Sequence, residues 1–401
     1  MNVYSNADLL IKGVRIGVAA AGIRYRERND LVIFELAEGS SVASTFTRNR
    51  FAAAPVYVAI EHLKKSEVRY LLINAGNANA GTGQRGIEDA RSCCHYVSEK
   101  TAVSAHSVLP FSTGVIGEYL PLEKLNTGID SALGCLDEHG WTAAAGAIMT
   151  TDTKAKLINH RFTLNGRTCN ITGIAKGSGM IHPNMATMLA FIVTDAGVSP
   201  EGLQHALAHA VDDSFNCITV DGDTSTNDAC VVVATGQGEV EITDDAMELE
   251  ALTAKLTLVC KQLAEMIIRD GEGATKMARI RVTGGRNRDE CKAIGYTVAL
   301  SPLVKTALFG QDPNWGRILA AVGRAPVNEF DLSKVDIFLD DICIVRNGER
   351  DKWYTEEDGA RIMRRDEITI GINMGMGDSE IEILTSDLSH DYVSINADYR
   401  S

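Results

Sequence analysis

Thr187, a Thr-Gly pair and an Asp-Gly-Asp turn are the residues of this chain whose types and settings suit chemistry. Thr187 stands within KGSGMIHPNMATMLAFIVTDA, between a loop holding Gly177, Gly179 and Pro183 and an unbroken apolar run from Leu189 to Val193. That run has the length of a strand buried on both faces. A hydroxyl at the mouth of such a strand, behind the small Ala186 and a permissive loop, is held rigidly yet open to approach. This suits a nucleophile. The plainer reading is that threonine is a favoured strand residue and often opens one.

Thr113 and Gly114 turn the stretch LPFSTGVIG. Such a pair can aim a hydroxyl and a nearby N–H at one point, as an oxyanion hole requires, or can simply make a turn. Asp221-Gly-Asp223, at the end of the apolar CITV, matches the signature of magnesium-dependent phosphatases, in which one aspartate attacks phosphorus and the second handles the proton. Asp340 and Asp341 would be its distal metal ligands; a structural Asp turn is the commoner origin of such a match. Gly81, Gly83 and Gly86 spell GxGxxG. A dinucleotide site needs that motif directly at a strand end within a βαβ unit, and here several residues intervene after Asn74, with no clear βαβ unit following.

The elements that must hold these residues read as α/β. Residues 8–60 suggest several antiparallel strands, APVYVAIEHL among them. VRYLLIN is a strong buried strand, followed by an amphipathic helix from about Ile87 to Thr101. Ser199, Pro200 and Glu201 start a helix, and another runs from about Asp244 to Asp270, stopped by GEG. Past Ile280 the texture changes to short strands, so residues 1–280 are read as one core and 281–401 as a smaller α+β domain.

Composition excludes some classes. With 39 Lys+Arg against 53 Asp+Glu the net charge is −14, which disfavours a nucleic-acid binder and an anionic membrane surface. No window is long and apolar enough for a span, and the N-terminus lacks the pattern of a signal peptide. Nine cysteines without CxxC spacing read as reduced thiols of a cytoplasmic protein. No metal site is expected: HALAH, with His205 and His209, lacks the glutamate of HExxH.

Taken in order, the blocks FTRNRFAAAPV, NAGNANAGTG, STGVIG, AIMTTDT, KGSGMIHPNMATMLAFIVTDA, ITVDGDTSTND, DGEGATK, SPLVKTA, DPNWGRI and YVSINADYRS resemble those of the ornithine acetyltransferases, or glutamate N-acetyltransferases, of the cyclic arginine pathway. The resemblance runs over nearly the whole chain. It implies a layered α/β/β/α sandwich of the N-terminal-nucleophile type with a smaller C-terminal α+β domain. It implies self-cleavage between Ala186 and Thr187 into residues 1–186 and 187–401, which stay together in an α2β2 heterotetramer. Thr187 would be the nucleophile and Thr113 and Gly114 the oxyanion hole. Thr153, Lys176, Thr187, Glu272, Asn396 and Ser401 would contact substrate. N-acetylornithine would give its acetyl group to Thr187 and glutamate would collect it, with no cofactor; in some members acetyl-CoA is a second donor. Gly81 stands where many members have cysteine, and no implied role rests on it.

The residue types agree with these assignments. Lys176 suits a carboxylate, and Glu272 an ammonium or the α-amine of Thr187. An aminopeptidase or amidase on the same scaffold, with water as acyl acceptor, and the phosphatase built on Asp221 and Asp223 stay as alternatives.

Overall fold

The computed structural model describes residues 9–25, 27–164, 166–182, 188–243 and 246–397. They form two compact units, and neither is one run of sequence. The first gathers described residues of 9–177, 188–216 and 224–267, the second those of 178–182, 217–223 and 268–397.

In the first unit two sheets face each other. One has the strand order Val14–Ala19, Leu31–Leu36, Tyr70–Asn77, Val108–Val115. The other runs Ser41–Phe46, Ala229–Ala234, Leu189–Thr194, Arg167–Lys176, Lys156–Leu164. Alternate side chains of each strand point between the sheets, so Phe34, Leu71 and Phe111 meet Ile174, Phe191 and Val231 in one core. Phe191 is its pivot, 5.1 Å edge-on from Phe111 and 5.8 Å from a stacked Phe34. Helices Gly83–Thr101 and Leu122–Leu133 cover the far face of the first sheet, burying Leu31, Ile33 and Leu72 with Cys93, Val97 and Ile129. Helices Pro200–Asp212 and Ala246–Arg269 cover the far face of the second. Gly173 lets the latter approach: a Cβ there would lie 3.1 Å from both Val259 and Leu263. The result is the expected α/β/β/α layering.

Leu189–Thr194 is the middle strand of its sheet, parallel to Ala229–Ala234 and antiparallel to Arg167–Lys176, and all six of its residues are buried. A strand covered on both faces must be apolar throughout, which is why its sequence does not alternate. The helix after it starts as read: Ser199 Oγ accepts from Gly202 N–H at 3.1 Å and Pro200 fills the first turn.

Two local readings fail. APVYVAIEHL is a helix, Ala54–Leu63, not a strand. Pro55 occupies its first turn, and Pro55, Val58, Ala59 and His62 recur at helical spacing on its buried face, outweighing the β-branched content. There is also a βαβ unit around the glycine motif: Tyr70–Asn77 and Val108–Val115 pair in parallel across the helix, which begins at Gly83, earlier than read. Gly86 there lets the first turn of the helix pack on the loop before it. A Cβ on it would lie 1.9 Å from Thr82 Oγ1 and 2.6 Å from the buried Asn79 Oδ1.

The second unit is built on a seven-stranded mixed sheet, ordered Ile218–Thr219, Ser379–Ser386, Met277–Gly285, Glu367–Asn373, Asp336–Leu339, Ile342–Arg346, Glu349–Arg350. Ala278, Ile280 and Val282 point into a core with Ile294, Val298 and Leu308 of two covering helices. The alternate residues Arg279 and Arg281 point away and pair with Glu367, Glu382 and Glu380. Period-two alternation therefore marks a sheet with one face covered. SPLVKTA and DPNWGRI supply helices Pro302–Phe309 and Trp315–Gly323, the second capped by Asn314, which accepts from Arg317 N–H at 3.2 Å.

Candidate functional site

Lys176 ends the strand Arg167–Lys176, in register with Leu189 at the start of the next. Its ammonium stands 3.9 Å from Asp152 Oδ2. Asp152 is ringed by donors: Lys156 Nζ at 2.6 Å, Gly177 N–H at 2.7 Å and Thr150 N–H at 3.0 Å. Burial alone would raise this carboxyl's pKa, but Lys176 and then Lys156 outweigh burial and hold it well below the usual carboxylate range. The side chains of Asp152, Lys156 and Lys176 are 0%, 1% and 11% exposed, so of the three it is Lys176 that reaches solvent. A partly exposed ammonium held beside a buried carboxylate suits an anionic ligand. Thr153, the next residue after Asp152, is exposed.

Thr113 and Gly114 lie on Val108–Val115, a strand of the other sheet. Thr113 is buried, and Gly114 has φ +133, a conformation that side chains rarely adopt. A Cβ on Gly114 would lie 2.3 Å from the Gly76 carbonyl carbon and 2.5 Å from Asn77 N. Here the ladder slips, with Asn77 opposite both Thr113 and Val115. Buried amides secure the irregular end: Asn227 Nδ2 donates to Ser112 O at 2.8 Å and Ala78 O at 2.6 Å, and Ser112 Oγ donates to Asn74 Oδ1 at 2.6 Å. A glycine-only backbone braced by buried side chains can present fixed N–H groups, which is what oxyanion stabilisation asks of a scaffold.

In the second unit Glu272 and Asn396 come together. Asn396 Nδ2, on helix His390–Ala397, donates to Glu272 Oε2 at 2.9 Å, and the buried Glu272 donates its N–H to Ser178 O at 2.8 Å. Gly179 has no side chain because the Glu272 carboxylate fills that space; a Cβ would be 2.3 Å from Oε2. Ala186, Thr187 and Ser401 lie outside the described residues.

Asp221, offered as a phosphatase nucleophile, accepts Met180 N–H at 2.7 Å and Ile181 N–H at 2.9 Å, one on each oxygen, and the Asp223 N–H at 3.2 Å. It holds a turn. Asp340 likewise serves its own sheet, accepting from Thr369 N–H at 2.8 Å and pairing with Arg365. His182 packs on Tyr296 with ring centres 4.8 Å apart, and burial lowers its pKa. Sequence reading missed Asp152, Lys156 and Asn227. Asp152 and Lys156 sit in TTDTKAK beside Thr153, and two lysines closely following an aspartate there were the available signal.

A layered sandwich with a braced glycine strand and a buried Asp-Lys cluster defines a class of α/β proteins, and sequence comparison narrows it to one family. A sequence profile of the ArgJ family matches residues 15–401, and the chain belongs to that family. It is 53% identical over 392 residues to the arginine biosynthesis bifunctional protein ArgJ of Methylococcus capsulatus, covering 98% of this chain and 96% of the relative. The protein so named from Pseudomonas syringae is 52% identical over 393 residues, covering 98% of this chain and 97% of that one. The crystal structure of the Bacillus halodurans arginine biosynthesis bifunctional protein matches with a TM-score of 0.50 and 39% identity, over 53% of this chain and 99% of its own.

Proposed function

We propose that this chain is a glutamate N-acetyltransferase of arginine biosynthesis, moving the acetyl group of N-acetylornithine to glutamate. The observation that carries this reading is the ArgJ match over residues 15–401, at 53% identity to a bifunctional arginine-biosynthesis protein. Thr187 Oγ first attacks the Ala186 carbonyl carbon, and the amide becomes an ester that water hydrolyses. This leaves the Ala186 carboxylate and a free Thr187 α-amine. With a reference pKa of about 8, that amine is a usable base near neutrality for the hydroxyl on the same residue. In turnover Thr187 Oγ attacks the acetyl carbonyl of N-acetylornithine, and ornithine's amine leaves with a proton. The amine of glutamate then attacks the acetyl ester and restores Thr187. Thr113 and Gly114 stabilise the negative charge of each tetrahedral intermediate.

Lys176, set by Asp152, meets a substrate carboxylate. Glu272, with Asn396 beside it, meets an ammonium. Thr153 and Ser401 complete the substrate contacts. No metal or redox cofactor enters, and the word bifunctional in the relatives' names favours acetyl-CoA as a second donor. The enzyme works in the cytoplasm as an α2β2 heterotetramer of its two pieces. Supporting the break, the Bacillus halodurans chain, matched almost end to end, spans just over half of this one, as residues 187–401 do.

The test is the intact mass under denaturing conditions of wild type and Thr187→Ala. Two fragments from wild type, the larger opening Thr187-Met188-Leu189, with the variant whole, are expected. They should go with acetyl transfer from N-acetylornithine to glutamate. Lys176→Met should raise the Michaelis constants of both amino-acid substrates; unchanged constants would remove its carboxylate role. A whole wild-type chain would remove the catalytic amine.

A further inference from the structure

The Asp-Gly-Asp motif is left without chemistry above. Ser178–His182 belongs to the piece ending at Ala186, yet in the second unit it is held by residues from beyond the expected break. Asp221 takes the Met180 and Ile181 N–H groups, one on each carboxylate oxygen, at 2.7 and 2.9 Å. The Ile181 carbonyl accepts from Val220 N–H at 2.7 Å and from Thr219 Oγ1 at 2.9 Å. Glu272 N–H reaches Ser178 O at 2.8 Å, and Tyr392 OH donates to Asp221 at 3.3 Å. Met180 has φ +54, a left-handed conformation unfavourable for a methionine. A strained residue persists where its surroundings over-determine it, and here a carboxylate grips both sides of the kink.

We propose that Asp221 is the positioning residue for self-cleavage, acting by holding the Met180–Ile181 kink a few residues before the Ala186–Thr187 bond in the sequence. This role rests on the self-cleavage reading above. Attack of Thr187 Oγ on the preceding carbonyl requires a narrow set of backbone angles. An anchor six residues ahead removes much of the conformational search. Asp221 acts through the backbone of Met180 and Ile181. After the break the same hydrogen bonds keep the new C-terminal arm of residues 1–186 on residues 219–221.

The test is cell-free synthesis of the full chain, with denaturing mass spectra taken at intervals, for wild type, Asp221→Asn and Thr219→Val. Asp221→Asn keeps the shape but turns an amide NH2 toward a backbone N–H, and should slow cleavage about tenfold or more. Thr219→Val removes one donor to Ile181 O and should slow it roughly threefold. In an uncleavable Thr187→Ala background both substitutions should leave a single cooperative melt within about 3 °C of the parent, since a few lost hydrogen bonds on a chain this long move Tm little. Wild-type cleavage rates in both variants overturn the proposal, as does slowing that comes with loss of the cooperative melt. If wild type itself stays whole, it is the self-cleavage reading that fails.

Discussion

Asp152 carries more of the site than its absence of direct chemistry suggests. With Lys156 at 2.6 Å and two backbone N–H donors, its carboxylate is the fixed point from which Lys176 is aimed. Asp152→Asn would remove the buried carboxylate held between Lys156 and Lys176 and should cost roughly 3–5 kcal/mol in urea unfolding near neutral pH. The pH dependence follows from the direction of the shift. A carboxyl held below its unfolded value near 4 adds stability that is present above that pH and lost as pH falls through the lower folded value. The gap between wild type and Asp152→Asn should therefore hold from pH 7 to about 5 and shrink below about 4. A gap that widens on acidification would mean that Asp152 folds protonated.

At the scale of elements, two glycines separate a backbone requirement from a side-chain one. Gly114 meets the Gly76 carbonyl carbon and Asn77 N, main-chain atoms of a paired strand that have nowhere to go, and its φ is +133. Gly114→Ala should lose about 2 kcal/mol or more and abolish acetyl transfer, read by urea unfolding beside an activity assay. Gly179 meets the tip of Glu272, which can swing aside. Gly179→Ala should keep its melting temperature within about 2 °C but raise Michaelis constants roughly fivefold or more, because the carboxylate is pushed off Asn396. Equal losses of stability in both would contradict this division. The helix Ala54–Leu63 teaches a related lesson: its valines read as strand, and Pro55 with the spacing of the buried face decides otherwise.

For the whole molecule, the pieces on either side of the expected break share both units. Leu189–Thr194 is laddered to Arg167–Lys176, and Ala229–Ala234 to Ser41–Phe46, while the second unit takes in Ser178–His182. Residues 187–401 made alone would expose the inner faces and edges of fully buried strands, a template for aggregation. They should be insoluble alone and recovered in the soluble fraction when residues 1–186 are made alongside, eluting together on size exclusion. A soluble, monomeric 187–401 would show that the ladders are dispensable. The acidic balance, net −14, favours solubility of the assembled protein and steers it away from nucleic acid.

Local sequence determined what depends on near neighbours. The apolar run Leu189 to Val193 announces a buried strand, Ser199-Pro200 a helix start, and GEG the end of the long helix, because burial, capping and chain flexibility act over a few residues. The ordered motif blocks led to the family, and with it to Lys176 and Glu272 as candidates for substrate contact. Tertiary structure decided what long-range pairing controls. It seated Lys176 against Asp152 and Lys156, and braced Ser112 with Asn227. It also turned Asp221 from a nucleophile-like motif into a clamp on Met180 and Ile181, forty residues back. A side chain's type is written at its own position, whereas its partner is chosen only when sheets stack and distant strands come into register.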